Sequence, residues 1–408
     1  MTNPYGRIGT ANAFDNALRN LSARQSAMVN LQGQVSANQN VQRGSDDPAA
    51  AAAAERATTR LSRIDTEQKA LTAQRATIQS AEGTLGNVNS AIQDFRDLVI
   101  QAGNGSYDAT SRASIVQQLS SLRDQILSLA NQKDSSGQSL FGGLGSTAAP
   151  FVDGNVVTYS GIGGQNASNG NAISTTVDGY ATFMDVPTGN GVFSIALPTN
   201  ASGTVTNTGT AWADAGTVTN PAALTGASYS VSFAVDAAGN TTYSVPGSTP
   251  PIANQTYVSG QPISFDGLSF NVTGTPANGD SMNIAPSQKT SIFSVMDQAI
   301  SELSKSGANV GATTNAVTQA LQQLDSGLSR VSASRSYAGE LLNRADRISD
   351  TQDARSVQVT ADLSLAEGSD TNSQVKRVSD FQNQQTVYSA ALASYAQIQK
   401  LSLFNYIS

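Results

Sequence analysis

Residues 48–101 read PAAAAAAERATTRLSRIDTEQKALTAQRATIQSAEGTLGNVNSAIQDFRDLVIQ. Within this stretch Ile64, Leu71, Ile78, Leu85, Ile92 and Val99 recur every seven positions, and Leu61, Val88 and Phe95 fill part of the neighbouring row. An apolar stripe of that period is what a helix needs to bury one face along another helix. At about 1.5 Å per residue the helix runs roughly 80 Å, more than a compact globule requires, so the stretch predicts a rod. Its start is marked by Arg43-Gly44-Ser45-Asp46-Asp47-Pro48: Asp47 is placed as the N-cap carboxylate, Pro48 as the first helical residue, and six alanines follow. Asp46 and Asp47 are adjacent acids with no third ligand, which is capping chemistry rather than a catalytic or metal-binding pair.

Working outward, Phe14, Leu21, Met28 and Val35 also stand seven apart, but their companion row is filled with Ala, Arg and Gln. Beyond the rod, Asn104-Gly105-Ser106 predicts a turn, and Ile115, Leu119, Leu122, Ile126 and Leu129 predict an antiparallel partner ending near Asn131. The C-terminal half mirrors this arrangement. Val317, Leu321, Leu324, Leu328, Val331, Ala338, Leu342 and Ala345 are spaced by threes, fours and sevens. After Gly368-Ser369-Asp370 a last helix carries Val378, Phe381, Tyr388, Leu392, Tyr395, Ile398, Leu401 and Phe404. The rod core is therefore assigned to Ile64, Leu71, Ile78, Leu85, Ile92 and Val99 with Leu321, Leu324, Leu328 and Val331.

The terminal helices are expected to form a seam of Phe14, Leu21, Met28, Val35, Phe381, Tyr388, Leu392, Tyr395, Ile398, Leu401 and Phe404. At about 25 cal/mol per Å² so thin a stripe buries too little to offset its ordering entropy, so copies of the chain are expected to supply the missing contacts. On this reading residues 1–40 and 372–408 are mobile in the monomer and become helical on assembly. The tyrosines lack the surrounding basic residues of a nucleic-acid platform and read as seam residues with a wet hydroxyl.

The middle differs in kind. Between Lys133 and Lys289 there is no Lys, Arg or Glu, only eight Asp, whereas the arms outside residues 134–290 hold 22 basic and 22 acidic residues. Tyr229, Val231, Phe233 and Val235 alternate before Asp236-Ala237-Ala238-Gly239-Asn240, and Tyr243 and Val245 follow, which predicts a hairpin. Ile263-Ser264-Phe265, Asp266-Gly267 and Leu268-Ser269-Phe270 predict a second. Residues 160–175 and 199–220 are rich in Gly, Asn, Thr and Ala and carry only weak strand signals, with Trp212 outside any pattern.

Composition closes several routes. The chain of 408 residues has no Cys and no His, which removes disulfides, thiolate nucleophiles, Ser-His-Asp catalysis and nearly every zinc site. A formal charge of -7 argues against nucleic acid. Met1 to Thr10 shows no basic segment leading into an apolar one, and no stretch approaches the ~20 apolar residues of a membrane span. No catalytic, cofactor or metal site is assigned. The scattered Asp residues lack calcium-loop spacing.

Several segments carry a resemblance. They are Phe14-Asp15-Asn16-Ala17-Leu18-Arg19-Asn20-Leu21, the Ser45-Asp46-Asp47-Pro48-Ala49-Ala50 loop, Leu129-Ala130-Asn131 through Asp134-Ser135-Ser136-Gly137 to Leu140-Phe141-Gly142-Gly143, and Leu401-Ser402-Leu403-Phe404-Asn405-Tyr406-Ile407. Gly274-Thr275-Pro276-Ala277-Asn278-Gly279-Asp280, leading to Ala285-Pro286-Ser287-Gln288, adds to them. Together they resemble the flagellin-related axial proteins of the bacterial flagellum, and within them the hook-associated protein 3 family. Leu365-Ala366-Glu367-Gly368-Ser369-Asp370 departs from the acidic helical run that family members more often keep. The resemblance implies export through the flagellar secretion channel with help from an export chaperone, and a homo-oligomeric ring between another hook-associated protein and flagellin. It places the terminal helices innermost, lining a tube.

The expected fold is α + β and multidomain: long antiparallel helical-bundle or coiled-coil arms from both termini with an inserted all-β domain. Its domains are residues 1–45 with 368–408, residues 46–145 with 286–367, and the outer insert 146–285. A flagellin filament subunit is the nearest rival, sharing the same arms. A surface adhesin or carbohydrate-binding protein is a more distant one, resting on the Asp-only, Thr- and Asn-rich middle.

Overall fold

The computed structural model describes the backbone of residues 4–104, 107–144, 148–164, 166–201, 203–305 and 310–407, and the side chains of these residues apart from 4–11, 13 and 398–407. Among the described residues six α-helices are formed: α1 (Pro4–Ala37), α2 (Pro48–Ala102), α3 (Ala109–Ala130), α4 (Ile292–Ser304), α5 (Val310–Glu367) and α6 (Thr371–Ile407). Between α3 and α4 the described residues form thirteen strands. They open with β1 (Phe151–Val152), β2 (Thr158–Tyr159), β3 (Val186–Pro187), β4 (Phe193–Ala196), β5 (Trp212–Ala213) and β6 (Thr217–Val218). Then come β7 (Tyr229–Val235), β8 (Thr241–Val245), β9 (Ile252–Thr256), β10 (Pro262–Phe265), β11 (Leu268–Thr273), β12 (Ser281–Pro286) and β13 (Lys289–Thr290). Long helices from both ends and a central all-β region are the architecture the sequence predicts. The chain forms two compact units, one of Met1–Ala70 with Ile348–Ser408 and one of Leu71–Arg347. The expected divisions at residues 146 and 285 fall inside the second.

In that second unit the heptad of α2 is the core: Leu71, Ile78, Leu85, Ile92 and Val99 are at most 3% exposed. From α3, Ile115, Leu119 and Ile126 are buried, and from α5, Leu324, Val331, Ala338, Leu341 and Ala345. Ion pairs edge this core, Arg96 to Asp325 at 2.8 Å, Arg335 to Glu82 at 2.7 Å and Arg75 to Asp346 at 3.1 Å. Helix α4 is not among the expected helices, although Ile292, Phe293, Val295, Met296, Ala299 and Leu303 line one buried face. Ser291 caps it, its hydroxyl accepting from the Ser294 N–H at 2.9 Å. The face of Phe293 closes on Phe151 and Phe183, with ring centroids 5.7 and 6.0 Å apart, and Phe141 stands 5.5 Å from Phe183.

Arg123, on α3, is the buried charge of this region. It occupies the apolar stripe between Leu119 and Ile126, and only 8% of it is exposed. Its guanidinium grips the Asp153 carboxylate with two hydrogen bonds, at 2.8 and 2.6 Å, and donates to Asp297 of α4 at 2.9 Å and Asp124 at 3.2 Å. The bonds that Arg123 donates hold the Asp153 carboxyl below the usual carboxylate range and raise the guanidinium further above its own.

The strands form a five-stranded sheet in the order β4-β12-β7-β8-β9 and a four-stranded one in which β11 pairs with β10, β5 and β6, every pairing antiparallel. Both predicted hairpins are present as β7–β8 and β10–β11. Along β7, Tyr229, Val231 and Phe233 point inward and the residues between them outward. The β10–β11 turn uses Asp266 at φ 44° and Gly267 at φ 80°, the doubly left-handed turn that matches strand twist. Phe193, Ile195, Phe265, Phe270, Met282 and Ile284 are among the residues of the insert's core. Trp212 lies in β5, paired through Thr273 of β11. The insert is seated on the first turns of α5. A Cβ at Gly311 would lie 2.5 Å from Thr210 backbone, the Lys305 ammonium donates to Gly203 O at 2.8 Å, and the Gln319 amide donates to Ile195 O.

Candidate assembly interface

The first unit contains two helix breaks. Helix α1 stops at Ala37, where Asn38 turns left-handed at φ 55°. In the loop that follows, Asp46 Oδ2 accepts from the N–H groups of Gln42 and Arg43 at 3.1 and 2.9 Å. Asp47 Oδ1 then accepts from Ala49 and Ala50 N–H at 3.0 Å each, satisfying two of the orphan donors at the start of α2. The other break is the segment Leu365–Asp370. Gly368, at φ 67°, closes α5 with its N–H on Leu365 O at 3.2 Å and that of Ser369 on Ser364 O at 2.8 Å, a left-handed helix terminus. Asp370 opens α6 by accepting from the Ser373 N–H at 3.1 Å and its hydroxyl at 2.5 Å, bonds that lower the Asp370 carboxyl from its ordinary value.

One side chain ties the breaks together. Arg377, only 4% exposed, donates to Asn38 Oδ1 at 2.8 Å, to Asn40 Oδ1 at 2.8 Å and to Gly368 O. The Asn40 N–H adds a bond to Glu367 O at 2.8 Å, and the Gln39 amide one to Glu367 Oε2 at 3.1 Å. The guanidinium thus stands at the carbonyl ends of α1 and α5, where helix dipoles favour a cation. Arg377 is not among the seam residues the sequence predicts, because its partners are 9 to 339 residues away. The available signal was an Arg on the seam row itself, seven residues before Gln384.

The seam between α1 and α6 follows the spacing of threes and fours. On α1, Phe14, Leu21, Met28 and Val35 are half-buried, together with Ala17, Arg24 and Leu31. On α6, Phe381, Tyr388 and Tyr395 are half-buried, together with Gln384 and Ala391. The rings of Phe14 and Tyr395 are 5.5 Å apart and Arg377 meets Asn38 at 2.8 Å, so the two helices run antiparallel. Leu392 is 41% exposed and does not face α1, because the inward row passes through Ala391 and the next residue is turned about 100° away. The side chains of Ile398, Leu401 and Phe404 lie outside the described residues. Among the described residues of α1 and α6 no apolar side chain is fully buried, and Arg377 alone is. Leu18, Val29, Val375, Val378 and Val387 face outward.

Ile64 of the rod stripe, in this same unit, is half-buried, and Leu321 and Leu328 in the second unit are half-buried too. Leu324 and Val331 are fully enclosed. Among the described residues no group of three acidic side chains could hold a metal ion, and no helix is long and apolar enough to cross a membrane.

The family model for the bacterial flagellin N-terminal helical region matches residues 8–146. Flagellar hook-associated protein 3 of Salmonella typhimurium is 30% identical over 197 residues, which are 48% of this chain and 59% of that protein, under two thirds of the relative's length. A flagellin of Bacillus subtilis is 32% identical over 159 residues, 38% of this chain and 52% of its own. The crystal structure of the flagellar junction protein FlgL from Legionella pneumophila superposes with a TM-score of 0.66 at 31% identity, covering 72% of this chain and 99% of that one. The chain belongs to the flagellar hook-associated protein 3 family. The stretch matched by the family model, residues 8–146, contains the motifs around Asp47, Asn131 and Phe141.

Proposed function

We propose that this chain is a structural subunit of the bacterial flagellum that joins the hook, through another hook-associated protein, to the flagellin filament by self-assembly of its terminal helices. The observation that carries the reading is the α1–α6 seam: two long helices pair without one fully buried apolar side chain among their described residues. Helices in proteins owe most of their stability to a packed face, and this pair lacks one. The outward Val29, Val375, Val378 and Leu392 then have a use, as ground for neighbouring copies in a ring. Partners beyond the ring are flagellin above and a hook-associated protein below, with an export chaperone and the flagellar secretion apparatus on the way to an extracellular position. No enzymatic step is proposed.

Truncation tests it. A chain ending at Gly368 is expected to remain folded and soluble, because the rod and insert cores lie elsewhere, and to lose incorporation at the hook tip. A truncated chain that still caps isolated hooks would refute the role of the seam. The flagellin reading rests on the Bacillus subtilis relative, and subunit copy number per flagellum separates the two.

A further inference from the structure

The sequence contains four Asn-Gly pairs, at 104–105, 169–170, 190–191 and 278–279. Such pairs deamidate when the glycine amide nitrogen reaches the Asn side-chain carbon, because no Cβ obstructs the approach. Residue 105 is not described, and the other three differ sharply. At Asn190 the side chain is held from both ends: Oδ1 accepts from the N–H groups of Val192 and Phe193 at 3.0 Å each, and Nδ2 donates to Gly216 O at 3.1 Å. The Gly191 N–H is engaged with Thr188 O. At Asn278, Oδ1 accepts from the Val235 N–H at 3.1 Å and the Gly279 N–H donates to Phe233 O at 3.0 Å. In both places the nucleophilic nitrogen is committed elsewhere.

Asn169 and Gly170 are exposed, and the Gly170 N–H has no acceptor among the described residues. Asn169 Oδ1 accepts from the Asn171 N–H at 2.9 Å, a bond that polarises the side-chain carbonyl for attack at Cγ. Arg344 donates to the Asn169 backbone carbonyl at 3.3 Å, drawing electron density out of the very peptide group whose N–H must be lost.

We propose that Asn169–Gly170 is a self-modification site, at which Asn169 deamidates with Arg344 as the positioning residue. The Gly170 nitrogen loses its proton and bonds to Asn169 Cγ. The Cγ–Nδ2 bond breaks, and ammonia leaves with that proton. Water then opens the resulting succinimide at either carbonyl, giving aspartate or isoaspartate. No oxidant or enzyme is required. The product adds a carboxylate to a stretch, residues 134–288, whose charged residues are otherwise Asp alone, and the isoaspartate form lengthens the backbone by one carbon across the 169–172 turn.

The test uses the full-length folded protein held in mildly alkaline buffer, alongside a sample in concentrated guanidinium chloride. Because no Lys or Arg lies between Lys133 and Lys289, cleavage after aromatic residues, including Tyr159 and Tyr180, isolates the site for mass spectrometry. Asn169 is expected to convert several-fold faster than Asn190 and Asn278 when folded, with the three rates converging when unfolded. R344Q is expected to slow Asn169 in the folded protein and leave the unfolded rate unchanged. A folded wild-type chain in which Asn169 is no faster than the other two overturns the proposal without recourse to any variant, and an unaltered folded rate in R344Q overturns the part assigned to Arg344.

Discussion

Asp47 accepts two hydrogen bonds from the first turn of α2, and it sits on an exposed loop, so its removal separates capping from packing. Asp47→Ala is expected to cost about 1 kcal/mol in urea unfolding, with the loss of amide protection confined to the first turns of α2. Arg123 is the opposite case, a cation enclosed within the stripe of α3. Because the folded-state Asp153 carboxyl lies below its unfolded value of about 4, the bond contributes stability above that pH, and the contribution is lost as pH falls through the folded value. Arg123→Gln is therefore expected to cost about 1–2 kcal/mol at neutral pH, moderated by the solvent reaching all three carboxylates, and to flatten the fall in stability below about pH 4. Equal acid slopes for wild type and variant would contradict this account. Gly368 carries a third test. At φ 67°, with a Cβ position 2.3 Å from the Asn40 amide, Gly368→Ala is expected to cost at least about 1 kcal/mol and to displace the Asn40 contact to Arg377.

Helices were readable wherever an apolar period was long. The α2 stripe, the α3 partner and α5 follow from spacings of three, four and seven, because that periodicity is a property of the helix and needs no knowledge of what it packs against. Helix α4 escaped because it is only 13 residues long and follows directly on β13. The β7–β8 and β10–β11 hairpins were legible through alternation plus turn residues, whereas β5 and β6 are two-residue strands whose register is set by β11, far along the chain. In the seam, the choice between Ala391 and Leu392 could not be made from hydrophobicity, which favours leucine. Phase decides it, and phase needs the partner helix. Leu392→Gln is accordingly expected to leave monomer stability within about 0.5 kcal/mol, since the residue is largely exposed, and to weaken incorporation at the hook tip if neighbouring copies cover it.

For the whole chain, the two units differ in what holds them. Residues 71–347 enclose two apolar cores, one helical and one β, while the terminal pair depends on Arg377 and a half-buried seam. Hydrogen exchange on a dilute monomer is expected to show strong protection over 71–102 and 229–284 and weak protection over 14–37 and 378–397, with the latter rising on assembly. Equal protection throughout the dilute monomer would remove the physical basis for the assembly role. The division of labour between sequence and fold follows the range of the interactions. Periodicity, capping at Asp47, the hairpin turns and the absence of Cys and His are local or compositional, and they suffice to specify long helical arms, a β insert and the exclusion of disulfides and of His- or Cys-based chemistry. The Arg123 and Arg377 clusters, the Phe141–Phe151–Phe183–Phe293 contact and the outward placement of Leu392 join residues tens to hundreds apart. They exist only once the chain has folded, because hydrogen-bond geometry and side-chain packing depend on distances that sequence order does not encode.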